Sequence, residues 1–296
     1  MENGGSSEEQ FGLGWIPDHP DFRDYTPETE EISSLLAKAK VTPPSAPPVL
    51  PPSVDLRSSF SPIDDQDGLG SCTAHAADGL MEYYERRAFG NYVDISRRFV
   101  YRVTRRLMGL SGDTGASIRG TMGALALIGA PPEKYWPYDV PHFDDEPPAL
   151  LYALAENYRA ILYYRLDPPG TAPKDLLDRV RYYTAAKLPP MFGFSVFACI
   201  TQAAKTGKIP YPVAADRFLG GHAVVIAGYD NNMKIKNTAP GADETVGALL
   251  IKNSWGPTWG EQGYGWLPYE YVLKGMARDW WSLVKASYIA TGQFGF

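Results

Sequence analysis

Gln66-Asp67-Gly68-Leu69-Gly70-Ser71-Cys72-Thr73-Ala74-His75 is a glycine-punctuated turn that runs straight into a helix, with a single cysteine among its first residues. A thiol at a helix N-terminus meets the positive end of the helix dipole and unpaired backbone N–H groups, and both favour thiolate. Cys72 is therefore a candidate nucleophile on local grounds, and the rest of the chain is read for groups that would activate it.

The chain is 296 residues long, 44% hydrophobic and 13% aromatic, enough for a sizeable buried core. Its longest apolar runs, Met191 to Ile200 and Ala223 to Ala227, fall well short of a membrane span of roughly 20 residues. The first nine residues are polar and acidic, without the basic and apolar regions of a signal peptide, so a cytoplasmic start is the default expectation, with signal-independent export left open. Two cysteines, Cys72 and Cys199, exclude a disulfide framework. Residues 1–50 hold nine acidic and three basic residues, a net of −6, which equals the net charge of the whole chain. The remaining body is neutral, which argues against general nucleic-acid or membrane-surface binding.

Residues 1–10 read as a disordered tail, and Phe11 to Tyr25 combine turn formers with aromatics that want a surface to dock on. Glu28 to Lys40 can form a short helix, with Thr26 as N-cap and Pro27 at the first helical position. Six prolines in residues 41–52 then make a stiff linker, placing a domain boundary near Pro51. Helical spacing runs from Cys72 to Phe89, with Gly90-Asn91 as the stop, and predicts a helix buried along one side. Further helices are expected from Ser96, as N-cap, to Leu107, from about Ser117 to Ile128, and over Pro148–Ala160 and Pro173–Ala186. The second half changes character: Pro190–Phe197, His222–Tyr229, Gly247–Trp255 and Gly263–Pro268 read as strands. Helices followed by strands give an α+β chain of two lobes.

Four histidines can serve Cys72. His222 opens a strongly apolar strand behind Gly220-Gly221, and Asn253 closes another ahead of Ser254-Trp255-Gly256, so an amide can hold the imidazole and an indole can cover it. Cys, His and Asn then supply nucleophile, base and orienter for acyl transfer. Gln66, six residues before Cys72, can join the Cys72 backbone N–H in stabilising an oxyanion.

Those residues resemble the papain-like cysteine peptidases, in their bacterial branch, from about Pro51 to the C-terminus. The resemblance rests on Ser53-Val54-Asp55-Leu56-Arg57, Gln66 through Cys72, Gly115-Ala116, Trp136-Pro137-Tyr138, His222 through Tyr229, and Asn253-Ser254-Trp255-Gly256 with Trp259-Gly260, in that order. It implies a helical lobe over about 65–185 led by the Cys72 helix, a β-rich, barrel-like lobe over 186–296 plus 51–64, and a substrate cleft between them. It also implies a cysteine-type endopeptidase acting on polypeptides with Cys72, His222, Asn253 and Gln66, with no cofactor or metal, as a monomer. Gly115, Ala116, Ile118, Phe194, Gly221, Ala223 and Trp255 are the implied substrate contacts. Ile118, Phe194, Gly220 and Ala223 would line a pocket for an apolar side chain two residues before the cut. Two departures stand out: Leu69 replaces a cysteine that family members usually carry, and the position of its usual disulfide partner falls at Asp113. An acyl transferase using the same thioester chemistry, or a binding module on a retired peptidase fold, are the alternative functions.

Residues 1–50 read either as an inhibitory pro-segment or lid across the cleft, which would make the chain a zymogen, or as a strap packed away from it. The long helical pro-domain of plant and animal relatives does not appear. Cys199, inside an apolar run, reads as a buried hydrophobe. His75, one turn beyond Cys72, reads as a packing residue; His19 and His142 read as turn and loop residues, and no cluster has metal-ligand spacing. Arg86, Arg87, Arg97, Arg98, Arg102, Arg105 and Arg106 read as a solvated, ion-paired face, with a phosphate or nucleotide held by those arginines as the alternative.

Overall fold

The computed structural model describes residues 11–41, 49–159 and 162–284. The expected tail and most of the proline-rich linker lie outside the described residues.

Helix α1 (Glu30–Lys38) is shorter than the expected element and starts after Thr29 rather than Thr26. Strand β1 (Ser53–Asp55) leads to the turn at Gln66 and to α2 (Cys72–Phe89), which Gly90 ends in the left-handed conformation at φ 77°. Helices α3 (Arg97–Leu107) and α4 (Ile118–Leu127) start at Ser96 and Ser117, whose hydroxyls accept from the Phe99 and Gly120 N–H at 3.2 and 3.1 Å. Then come α5 (Ala149–Ala155), β2 (Tyr163–Arg165) and α6 (Pro173–Ala185). The second half supplies β3 (Met191–Phe197), β4 (Phe218–Lys236), β5 (Glu244–Lys252), β6 (Tyr264–Pro268), the one-turn α7 (Glu270–Leu273) and β7 (Ala277–Leu283). The architecture is the α+β, two-lobe arrangement, with helices first and an antiparallel sheet after them.

The sheet runs β2-β7-β3-β4-β5-β6, with β1 paired to β4. Its register opposes Phe194 to His222 and Val225 to Lys252, so the end of β5 brings Asn253 beside the start of the apolar run of β4. Strand β7, which periodicity did not reveal, carries Trp280 and Trp281 into the core; both faces are covered, so its side chains do not alternate between apolar and polar.

Helix α2 corrects the expectation of a one-sided amphipathic helix. Every residue from Cys72 to Glu85 is buried, Asp78, Glu82 and Glu85 included, because the helix is wedged between β4 and the α3–α4 layer. Asp64, Arg97 and Lys252 gather beside its carboxylates. Among the described residues no helix is long and apolar enough to cross a membrane.

Candidate active site

Cys72 is the first residue of α2 and is wholly buried. Its thiol takes a backbone N–H from Ala223, the residue after His222, so the helix end and β4 meet at the sulfur. His222 Nε2 and Asn253 Oδ1 are 2.7 Å apart, while His222 Nδ1 is buried and has no hydrogen-bond partner. Trp255 stacks on the imidazole with centroids 4.4 Å apart and planes 22° apart, and Phe194 meets its edge at 5.8 Å. Gln66, also buried, has its amide oxygen fixed by the Ser254 hydroxyl at 2.5 Å, and its Nε2 donates to Leu69 O at 2.7 Å.

The turn ahead of Cys72 is held without a disulfide. The Gly70 N–H donates to the Asp113 carboxylate at 2.9 Å, and the Tyr101 hydroxyl donates to the same carboxylate at 2.6 Å. Asp113 thus ties the turn across from Leu69 by charge-assisted hydrogen bonds, which a reducing environment leaves intact.

The N-terminal segment lies along these residues. Gly12 O accepts from Gln66 Nε2 at 3.0 Å and from Trp255 Nε1 at 3.2 Å. The N–H groups of Gly14 and Trp15 both donate to Gly221 O at 3.0 Å, and the Ile16 N–H donates to Ala116 O at 3.0 Å, while Gly14 O accepts from Ala116 N at 2.8 Å. Trp15 forms a parallel bridge with Ala116, and the Gly14 N–H points to the Cys72 thiol. Phe11 covers Trp255 with centroids 4.5 Å apart. The Trp15 indole lies flat on Gly193 and Gly221, where any side chain would collide with it, and its Nε1 donates to Asp279 Oδ2 at 3.1 Å.

The same segment is pinned further along. Asp18 and Asp24 pair with Arg119 at 2.8 and 2.6 Å, the Asp18 N–H donates to Asp279, and Ile32, Leu36 and Val41 are buried in the main core.

Of the implied contacts, Gly115, Ala116 and Gly221 face the segment backbone, Gly220 meets Leu13, and Ala223 and Trp255 border the thiol and the imidazole. Ile118 and Phe194 are buried beside them. The purely apolar pocket needs correction. At the end of the slot that holds Trp15 sits Asp279, which Arg165 clamps at 2.7 Å with both side chains almost fully buried. Gly193, Asp279 and Arg165 went unrecognised in the sequence, because β7 reads as featureless and an Asp–Arg pair 114 residues apart leaves no local pattern.

Burial controls the titration. It pushes the Cys72 thiol from 9.0 up to about 11, against the backbone N–H groups that favour the thiolate. It pushes His222 down to about 4, against the Asn253 hydrogen bond. With the segment in place, burial thus favours the uncharged form of each group. The helix end alone predicted a thiolate, and desolvation outweighs it.

Cys199 and His75 follow their quieter readings, while the arginine face is ion-paired but not solvated, since Arg97, Arg98 and Arg105 are buried. Cys199 is buried, with its thiol 3.8 Å from Pro210 O. His75 Nδ1 lies 3.2 Å from Ser71 O on its own helix and its ring meets Tyr138 edge-on. The arginines are engaged: Arg98 with Asp145 at 3.2 Å, Arg102 with Glu146 at 3.2 Å, Arg105 with Asp144 at 2.7 Å, Arg97 with Asp64, and Arg86 and Arg87 with backbone carbonyls.

The papain family cysteine protease model matches residues 185–278, which hold His222 and Asn253. An uncharacterized peptidase C1-like protein of Acanthamoeba polyphaga mimivirus is 31% identical over 91% of this chain and 85% of its own length. Xylellain, a cysteine protease from Xylella fastidiosa, superposes with a TM-score of 0.72 at 31% identity, covering 94% of this chain and 97% of that one. The digestive procathepsin L2 proteinase of Tenebrio molitor shares the fold at a TM-score of 0.67, 20% identity and coverage of 95% and 81%. With the helix-end cysteine, the sheet that follows it and likeness over nearly its whole length, this chain belongs to the papain-like cysteine peptidases and is a hydrolase of that family.

Proposed function

We propose that the chain is an endopeptidase in which Cys72 is the nucleophile, His222 the acid and base, Asn253 the orienter and Gln66 an oxyanion donor, and that residues 11–19 hold it latent. The observation that carries the reading is the arrangement of His222: Nε2 is tied to Asn253 and Nδ1 is left unpartnered, on the residue whose successor donates to the Cys72 sulfur. In turnover His222 Nδ1 takes the thiol proton, the sulfur attacks the peptide carbonyl, and its oxygen takes up the hydrogen bond that Gln66 Nε2 now gives to Gly12. The imidazolium hands the proton to the leaving amine. Water, deprotonated by His222, then releases the acyl group, while the Asn253 amide keeps the ring aligned.

Latency follows from chain direction. The implied pocket for residues before the cut lies on the Trp15 side of Cys72, and Phe11 lies on the other, over Trp255. A substrate places its earlier residues on the Trp15 side, so the segment runs through the cleft backwards. It presents the Gly14 N–H to the sulfur, and it survives as an occupant. Cys72→Ala should remove all peptide cleavage and leave the thermal transition intact. Cleavage persisting in that variant, with the label of iodoacetamide found on Cys199, would overturn the assignment.

A further inference from the structure

Beside the cleft, on the side of Phe11, lies a cavity of about 380 Å³ that extends from Gly12 and Trp255 to Asp65, Asp67 and Trp259. Two indoles form its wall: Trp255 and Trp259 stand at 88° with centroids 5.2 Å apart. Its rim carries Asp65 and Asp67, both exposed and neither paired with a cation among the described residues. The Asp67 N–H donates to Asp65 Oδ1 at 2.9 Å, and Asp67 sits at φ 51°, so the two acids share one tight turn at the pocket edge. Lys205 follows Ala204, which lines the pocket, but Lys205 itself does not line it. In a chain whose other acidic groups are largely committed to arginines, two free carboxylates beside two indole faces form a site suited to a cation.

The geometry points to a specificity pocket for arginine or lysine at the residue that follows the scissile bond. This rests on the catalytic reading above, because the position is defined by the Cys72–His222 pair. Phe11 shows where that residue would go: its ring covers Trp255, one residue from the carbonyl held by Gln66. When the segment leaves, a guanidinium or ammonium stacked in the same place gains the indole face, and the phenyl it replaces gains nothing from Asp65 and Asp67. Gly12 and Thr258 complete the wall without adding charge. The leaving amine is next to this pocket, so charge selection here acts on product departure as well as on binding.

The full-length Trp15→Ala variant, in which the segment leaves the cleft more often, would be offered a set of quenched peptides identical except for arginine, lysine, norleucine or glutamate after the cut. Two exposed carboxylates acting on one cation predict that kcat/KM for the arginine peptide exceeds that for the glutamate peptide by about tenfold at low salt. The ratio should fall toward one near 1 M NaCl, where screening is nearly complete, and also in an Asp65→Asn, Asp67→Asn double variant. A ratio within about twofold, or one that the double variant leaves untouched, overturns the inference while the catalytic reading stands. If no peptide is cut although Cys72 is labelled by iodoacetamide, the catalytic reading fails and takes this inference with it.

Discussion

Replacing Trp15 by alanine tests how the N-terminal segment is held and what its removal does to the thiol. Trp15 is 6% exposed, packs on Gly193 and Gly221, and ends on Asp279. Truncating a buried tryptophan costs about 3–5 kcal/mol. The other local grips are four backbone hydrogen bonds to Gly221 and Ala116 and the two that Gly12 O accepts from Gln66 Nε2 and Trp255 Nε1, each worth about 1 kcal/mol net. The substitution thus removes a third to nearly half of what holds residues 12–16, while α1 and the Arg119 ion pairs stay in place. At about 1.4 kcal/mol per tenfold, the open population rises by at least two powers of ten. Opening also hydrates Cys72. If the thiol returns from about 11 to 9.0, its thiolate fraction at pH 7 grows about a hundredfold. Iodoacetamide labelling of Cys72, followed by peptide mass mapping across pH 6–10, should show both a faster rate at pH 7 and a titration shifted to lower pH. Cys199, buried with its thiol raised to about 12, is an internal control that should stay unlabelled. A folded Trp15→Ala protein whose Cys72 reacts at the wild-type rate with the wild-type pH profile would refute both the anchor and the burial argument.

Asp113→Ala should lower the melting temperature by about 4–10 °C in calorimetry, since the Gly70 N–H and the Tyr101 hydroxyl lose one shared acceptor worth roughly 2–3 kcal/mol; an unchanged transition would show that the turn is held by packing alone. Glu82 keeps its proton up to about 8 in the folded chain because it is buried, against 4.5 when exposed. Between those values the folded state binds more protons, so stability falls as pH rises, by up to about 1.4 kcal/mol per unit. Glu82→Gln removes the Glu82 share of this dependence and leaves that of Asp78, which burial raises in the same direction, so its melting temperature relative to wild type should climb from pH 5 to pH 8; a constant difference would mean that Lys252 neutralises Glu82 fully.

Strands β1, β2 and β7 left no pattern, but helices α1 to α6, strands β3 to β6, the caps at Ser96 and Gly90, and the Cys72, His222 and Asn253 segments were readable along the chain. Each is a local matter: hydrophobic period, a capping hydroxyl, a glycine that accepts positive φ, a polar residue closing an apolar strand. What the sequence left open was where the N-terminal segment goes, and tertiary structure alone decided it. Docking of Trp15 depends on Gly193, Gly221, Ala116 and Asp279, which come from three strands and a loop and meet only when the sheet closes over α2, and Phe11 and Gly12 dock on Trp255 and Gln66. The charge state at the sulfur was also beyond local reading. The helix end of Cys72 favours a thiolate wherever that sequence occurs, but burial is a property of the whole molecule, and here it costs the thiolate more than the helix end returns.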